Sequence, residues 1–301
     1  MTALPRCACA WCRAWSARAG NTMLRSPHTK YDRLFVYYFD RLDLPPVDDP
    51  DLIGTWVEDD NAILFFHQAR EELVQSICAA TGATIIYQAE LGYRDWEAGT
   101  DIGPFATKHL AIRPVWEEGT TAGDGRREIV LDPSVIFGSG FHATTRLCLE
   151  TLETMLRESG QRIDRVVDLG TGTGLLAIAA ARLGAGQVLA VDNNPMACAV
   201  ARRNVELNDC RDKVTVVQAD LHQGLPDLRD QDLVIANLYR GLLLALFAEP
   251  KFWTAGNYLI SGFTPGMEGE LLAALPTDTV RLLHRGGREM WRIWLLRNRN
   301  A

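Results

Sequence analysis

Two acids and three glycines set the chemistry open to this chain. Asp168 sits in Val166-Val-Asp-Leu-Gly-Thr-Gly-Thr-Gly174, an apolar run that breaks at Gly170, Gly172 and Gly174 and resumes as a helical pattern over 175–183, closed by Gly184. A strand, a glycine turn and a helix N-terminus make a cradle: glycine lets backbone approach a ligand, and the free N–H groups of the first helical turn favour anionic groups. The next apolar run, Gln187-Val-Leu-Ala-Val-Asp192, ends in a second acid 22 residues after Gly170. A carboxylate about 20 residues beyond such a turn is placed to accept from the hydroxyls of a ribose. The turn is not the G-x-G-x-x-G of dinucleotide binding, because Leu175 occupies the place of its third glycine. An ordinary strand–turn–helix with glycines for packing is the simpler alternative; the polar residues that follow at strand ends favour the cradle.

Read with its leading acid, D-x-G-x-G-x-G resembles motif I of the class I methyltransferases, which bind S-adenosylmethionine. Asp168 suits the cationic side of that compound. Upstream, Phe137-Gly-Ser-Gly-Phe-His-Ala-Thr-Thr145 is similar to the F-G-T-G-x-H-x-T-T stretch of the PrmA-type methyltransferases, which act on the large-subunit ribosomal protein numbered eleven. The resemblance covers about residues 93–297 and is strongest at 132–145, 166–192 and 232–243. It implies S-adenosylmethionine as cofactor, held by Thr144, Thr145, Asp168, Gly170, Thr171, Gly172, Gly174, Asp192, Asn193, Asp220 and Asn237. Asp220 would meet the adenine amino group, and Asn237 would also position the accepting amine as the catalytic residue. Ser139, Phe141 and Ala143 depart from the family pattern, and Tyr239 and Arg240 replace the small residues usual there. Leu233-Val-Ile-Ala-Asn-Leu-Tyr-Arg240 is not the N-P-P-Y of nucleobase-amine and glutamine methyltransferases, which counts against those substrates.

The residues allow plainer roles. Thr144 or Thr145 would cap the helix patterned by Leu147, Leu149, Leu152 and Leu156. Asn237 would cap a helix over 241–248, and Asp220 would be a solvated loop acid. His142 is a tempting general base, but one histidine in a glycine loop does not establish one.

The elements that position these residues read as α/β. Buried strands at 166–169, 187–192, 214–218, 233–237 and 256–262 alternate with helices, the helix after Asp192 opening at Asn194-Pro195. This predicts a Rossmann-like, mostly parallel, doubly wound sheet over 129–301. A C-terminal antiparallel pair, 279–284 and 290–296, would turn around Gly286-Gly287. Ahead of it, strands at 33–39, 52–57 and 62–67, a helix at 71–81 and a strand at 84–88 predict a small α+β domain, 31–92, that leans on its neighbour. The family's N-terminal domain is ferredoxin-like; here Pro45-Pro46 stands where its first helix would be, which leaves the substrate open. Residues 93–128 read as a linker containing a short strand within 106–113.

Composition bounds the rest. The chain has 301 residues, 47% apolar and 23% charged, an ordinary mixture for a folded protein with ample core. The net charge of −7 is uneven: residues 1–30 hold five basic residues and no acid, and the remainder has 26 basic against 38 acidic residues, or −12. An acidic body fits a basic protein partner and argues against direct nucleic-acid binding. No apolar run reaches the roughly 20 residues that span a bilayer. Of seven cysteines, Cys7, Cys9 and Cys12 cluster without a second set to complete a metal site, so none is expected, and the others read as reduced thiols of a cytoplasmic protein. Residues 1–30 read as a disordered leader, with Met23 a candidate start. The function expected is methylation of lysine or α-amino groups on a large-subunit ribosomal protein. Methylation of another protein lysine, as on an electron-transfer flavoprotein, and non-catalytic binding of the cofactor stay open.

Overall fold

The computed structural model describes residues 31–58, 60–96, 102–118 and 125–300. Asp168 and Asp192 belong to a seven-stranded sheet whose strands are β8 (Arg165–Leu169), β9 (Gln187–Asp192), β10 (Val214–Gln218), β11 (Leu233–Asn237), β12 (Asn257–Phe263), β13 (Val280–Arg288) and β14 (Trp291–Asn298). Their order is β10-β9-β8-β11-β12-β14-β13. The first five run parallel, and β14 is antiparallel to both β12 and β13. The doubly wound sheet with a closing antiparallel pair is therefore as expected. The hairpin differs in one respect. Gly286 and Gly287 lie inside β13, and the turn is Glu289-Met290, with Glu289 at φ 54°. The glycines make room instead: a Cβ on Gly287 would stand 2.6 Å from Arg292 Nη1.

Alternate residues of each strand feed two cores, because successive side chains point to opposite faces. Val166, Val188, Leu233, Ile235 and Leu259 meet α3 (Ala143–Glu153) and α4 (Leu175–Leu183) on one face. Val167, Leu169, Val234, Ala236 and Ile260 meet α6 (Arg240–Phe247), Phe252 and Leu271 of α7 (Pro265–Ala273) on the other. Eight of the nine residues of α4 are buried, and its alanines allow a close approach to the sheet.

The small unit is a four-stranded antiparallel sheet, order β2-β3-β1-β4, from β1 (Arg33–Phe39), β2 (Leu52–Glu58), β3 (Asn61–Phe66) and β4 (Ile85–Gly92). One face packs on α1 (Glu71–Thr81) through Phe39, Leu64, Phe66, Val74 and Ile77. Between β1 and β2, where Pro45-Pro46 lies, there is no helix. The other face packs on the larger unit: Leu34, Val36, Ile63 and Phe65 share a core with Val135, Ile136 and, from α5 (Pro195–Leu207), Met196, Ala197 and Val200. Of the expected linker, the described residues form a one-turn helix α2 (Tyr93–Trp96), β5 (Phe105–Ala106) and β6 (Leu110–Pro114). Strand β6 runs parallel to β7 (Arg127–Leu131), and Leu110 and Ile112 enter the α3–α4 core.

The free edge of β7 and the residue after it are satisfied by side chains. Asn204 on α5 and Asn208, the residue at its C-cap, act as a substitute strand. Asn208 Oδ1 accepts from Val130 N at 2.9 Å and its Nδ2 donates to Val130 O at 2.7 Å. Asn204 Oδ1 accepts from Asp132 N at 2.8 Å, and its Nδ2 donates to Asp132 O at 2.9 Å and to Thr173 O at 2.8 Å. Each backbone group left bare and buried would cost about 1–3 kcal/mol. Asn204→Ala is therefore expected to lower stability by roughly 3 kcal/mol or more. Glu206→Ala, which loses only an exposed ion pair with Arg211, should stay within about 0.5 kcal/mol. Urea unfolding of the two variants measures the difference.

Candidate active site

Strands β9, β8 and β11 are neighbours and parallel, so their carboxyl ends bring Asp192, Asp168 and Asn237 to one edge of the sheet. Open α/β sheets bind ligands at that edge. The turn between β8 and α4 has Gly170 at φ 70°, Gly172 at 54° and Gly174 at 82°, a region that L side chains avoid. Its first two N–H groups are spent on protein, since Gly170 N and Thr171 N donate to Val191 O at 2.8 and 2.9 Å. The glycine Cβ directions are also filled by protein. They point at Leu238 Cδ2 (2.3 Å) from Gly170, at Phe137 O (2.2 Å) from Gly172 and at Ala201 Cα (3.2 Å) from Gly174. The glycines thus serve tight packing of the 132–142 loop and the β11 exit against the turn. Thr173 continues that packing, its N–H donating to Phe137 O at 3.1 Å and its hydroxyl to Gly138 O at 2.8 Å.

Asp168 is 1% exposed and accepts from the Thr171 hydroxyl at 2.6 Å. Burial pushes its carboxyl up to about 7, against the pull of the Thr171 bond, and the charge of Asp192 adds to the rise. Asp192 accepts from Gly172 N at 2.9 Å through one oxygen and from Asn194 N at 3.0 Å through the other, and burial raises it too. Asn194 caps α5 as expected, its Oδ1 accepting from Met196 N at 2.8 Å. Asn193 beside it is exposed, and its carbonyl accepts from Gln218 Nε2 at 3.1 Å. Asp220 follows β10, where its carboxylate accepts from His222 N and Gln223 Nε2, both at 2.9 Å, and so folds its own loop.

Helix α3 begins two residues earlier than a Thr144 cap would start it. Its N-cap is His142, whose Nδ1 accepts from Thr144 N at 3.3 Å and lies 2.8 Å from the Thr144 hydroxyl. Accepting at Nδ1 puts the proton of the neutral ring on Nε2, and burial lowers the His142 pKa. His142 is thereby a cap wedged between Phe137 and Trp291, its basic nitrogen already engaged. Four buried side-chain polar atoms have no hydrogen-bond partner among the described residues, and two of them, Thr145 Oγ1 and Asn237 Oδ1, belong to residues of this site. Asn237 does not cap α6 either: the N-cap there is Tyr239, without a side-chain bond.

A buried acid, a second acid at the neighbouring strand end, and two oxygens lacking partners fit a ligand that carries a cation, a diol and hydrogen-bond donors. S-adenosylmethionine has the first two, and a protein amine brings donors. Among the described residues no group of three or more His, Cys, Asp or Glu could hold a metal; Cys7, Cys9 and Cys12 lie outside them, as does the leader before residue 31. The residues that the sequence analysis did not identify are Asn204, Asn208, Tyr93 and Trp96. Tyr93 donates its hydroxyl to Ser134 O, and Trp96 Nε1 donates to Val135 O at 3.2 Å, fastening the same loop from the other side. The i, i+4 spacing of two asparagines on an otherwise apolar helix face was the one visible signal of the first pair.

Comparison with known proteins agrees. Residues 60–297 match the family described as Ribosomal protein L11 methyltransferase (PrmA). A relative named ribosomal protein L11 methyltransferase, from Pelotomaculum thermopropionicum, is 40% identical over 188 residues, 62% of this chain and 59% of that protein. One of the same name from Halalkalibacterium halodurans is 28% identical over 290 residues, 91% of this chain and 89% of that protein. The crystal structure of a ribosomal protein L11 methylase from Lactobacillus delbrueckii subsp. bulgaricus superposes with a TM-score of 0.54 at 28% identity, covering 64% of this chain and 95% of that one. The chain spans less than two thirds of the length of the first relatives it matches. With the family match running through both acids, the glycine turn and Asn237, the chain belongs to the PrmA family of ribosomal protein L11 methyltransferases.

Proposed function

We propose that this protein transfers methyl groups from S-adenosylmethionine to amino groups, lysine or α-amine, of a large-subunit ribosomal protein, as a cytoplasmic enzyme without direct nucleic-acid contact. The observation that carries the reading is the buried, unpartnered Asn237 Oδ1 on the sheet edge that also holds the buried Asp168. In this reading Asp168 faces the cofactor's cationic side and Asp192 its ribose hydroxyls. Thr145, with Thr144 and the turn residues Gly170, Thr171, Gly172 and Gly174, lines the cofactor cleft; Asn193 and Asp220 lie at its nucleoside end. When bound, the cofactor supplies an electrophilic methyl group and leaves as a neutral thioether, so the chain has little charge to stabilise and contributes chiefly position.

The amine must attack as the free base. For a lysine of pKa ~10.4 that costs about 4.6 kcal/mol at pH 7, and for an α-amine of pKa ~7.7 about 1 kcal/mol. A partly dry pocket lowers the amine pKa without a named base, which agrees with a His142 engaged as a cap. Asn237 Oδ1 then accepts a hydrogen of the neutral amine and aims its lone pair. Because the family match begins at residue 60, within the small unit, a different protein lysine is the second reading.

Incubation with radiolabelled cofactor and a cell lysate, followed by mass spectrometry of the labelled band, tests the function: label in ribosomal protein L11 is expected, and cofactor binding without labelled product would refute transferase activity. Asn237→Ala should lower turnover by about 10²–10³, the scale for removing one positioned hydrogen-bonding group. Near-normal single-turnover rates would remove Asn237 from the mechanism. Cofactor affinity should follow the ionisation of Asp168. With the unliganded carboxyl at about 7, affinity falls roughly tenfold per pH unit as pH drops below about 7, and calorimetric titration of Asp168→Asn should show weak binding with that slope gone. The same raised pKa destabilises the unliganded fold as pH rises from about 4 to about 7, since the unfolded chain releases the proton first. Asp168→Asn is therefore expected to gain on the order of 4 kcal/mol at pH 8 without ligand.

A further inference from the structure

Asn237 ends its strand, and the residue after it is clasped from two sides. The register partner of Asn237 on β12 is Ser261, whose carbonyl accepts from Leu238 N at 3.1 Å. Just beyond, the pairing of β12 with β14 slips by one residue. Ser261 lies opposite Ile293 and Phe263 opposite Arg292, so Gly262 is the extra residue of a bulge. Gly262 has φ 97°, a region that L side chains avoid. The Leu238 backbone fills the space of its missing side chain: a Cβ there would meet the Leu238 carbonyl oxygen and stand 2.7 Å from Leu238 C and 2.9 Å from Leu238 N. On the other side, Leu238 Cδ2 fills the Cβ space of Gly170, two residues beyond Asp168. Leu238 is buried with Val234 and Ala236 in the core on the α6 face, whereas Leu233 and Ile235 enter the α3–α4 core. Successive side chains of a strand point to opposite faces. A Leu238 pinned toward α6 therefore fixes Asn237 on the side of α3, where Thr145 also has a buried oxygen without a partner among the described residues.

We propose that Gly262 is a positioning residue for methyl transfer: its bulge lets Leu238 lie on β12, and Leu238 in turn sets the Asn237 amide against the cofactor turn. Bulges beside active sites re-aim a side chain in this way. One leucine, seated on two glycines, thus ties the amide that meets the amine to the turn that follows Asp168. Transfer needs the reacting atoms at near-attack distance, and a misplacement of about 1 Å can cost about 10²-fold in rate. A methyl group on Gly262 would push the Leu238 backbone off β12 and carry Asn237 with it, while Asp168 and Asp192, on strands that Gly262 does not touch, keep their places. This role rests on Asn237 aiming the amine, as proposed for the transfer step.

The test measures label transfer from S-adenosylmethionine to purified bacterial ribosomal protein L11 by the full chain, with cofactor Kd from calorimetry. Gly262→Ala should lower kcat by about 10²-fold and leave KM for L11 and cofactor Kd within about threefold. In the Asn237→Ala background the same change should cost less than about threefold, because a group that acts through Asn237 then has nothing left to misplace. If Gly262→Ala loses cofactor binding and so reports misfolding, Leu238→Ala carries the same pair of expectations. Leu238→Met, which keeps the bulk over Gly170, should stay within about threefold of wild-type kcat. Equal losses in the two backgrounds, an unchanged kcat in Gly262→Ala, or cofactor binding lost in both Gly262→Ala and Leu238→Ala would make the glycine structural only and overturn the proposal while methyl transfer stands. Near-normal turnover by Asn237→Ala, or no methyl on L11 from the wild-type chain, would remove the parent reading, and the role of Gly262 with it.

Discussion

A single buried amide, the side chain of Asn204, holds the site in register. It bonds both backbone groups of Asp132 and the carbonyl of Thr173, so the loop entering the site and the turn that floors it share one anchor. With that anchor in place, the Phe137 carbonyl can sit where Gly172 has no side chain, His142 reaches its capping position, and α3 starts where Thr145 faces inward. Replacing any of these contacts by a bulkier group would move all of them, because a packed interior yields little.

The turn also shows how packing and binding compete for the same residues. Its glycines are consumed by protein contacts, so the ligand-facing chemistry falls to the acids and to the unpartnered oxygens at the strand ends. Asp168 is held in a place that disfavours its charge, and Asp192 nearby makes that worse. Such an arrangement is poor for stability and suited to receiving a cation, as functional sites often are.

Much of this was legible in the chain. Parallel strands buried on both faces read as apolar runs, and glycine or Asn-Pro punctuation marks where they give way to helices; β9, β10 and the Asn194 cap fell where the sequence placed them. The two acids and Asn237 were visible as polar residues closing apolar runs. Other features depend on contacts distant in sequence. The Asn204–Asn208 ladder joins segments some 70 or more residues apart, as Asn204 and Asp132 show by their separation of 72. Gly286-Gly287 looked like a turn because glycines usually mark one, but here Gly286 clears space for the His284 and Ile293 side chains and Gly287 for that of Arg292. His142 as a cap, and the lack of a partner at Asn237 Oδ1, follow from geometry that no spacing rule encodes.

The way the small sheet is sandwiched has a consequence for biosynthesis. Its second face is covered by Val135 and Ile136 and by Met196 to Val200, all made after its own last strand ends at Gly92. At about 5–20 residues per second, a ribosome needs roughly 5–20 s to deliver those covering residues. During that interval Leu34, Val36, Ile63 and Phe65 lack that part of their cover on a nascent chain, so the core of the first unit is completed only when the helix after Asp192 emerges.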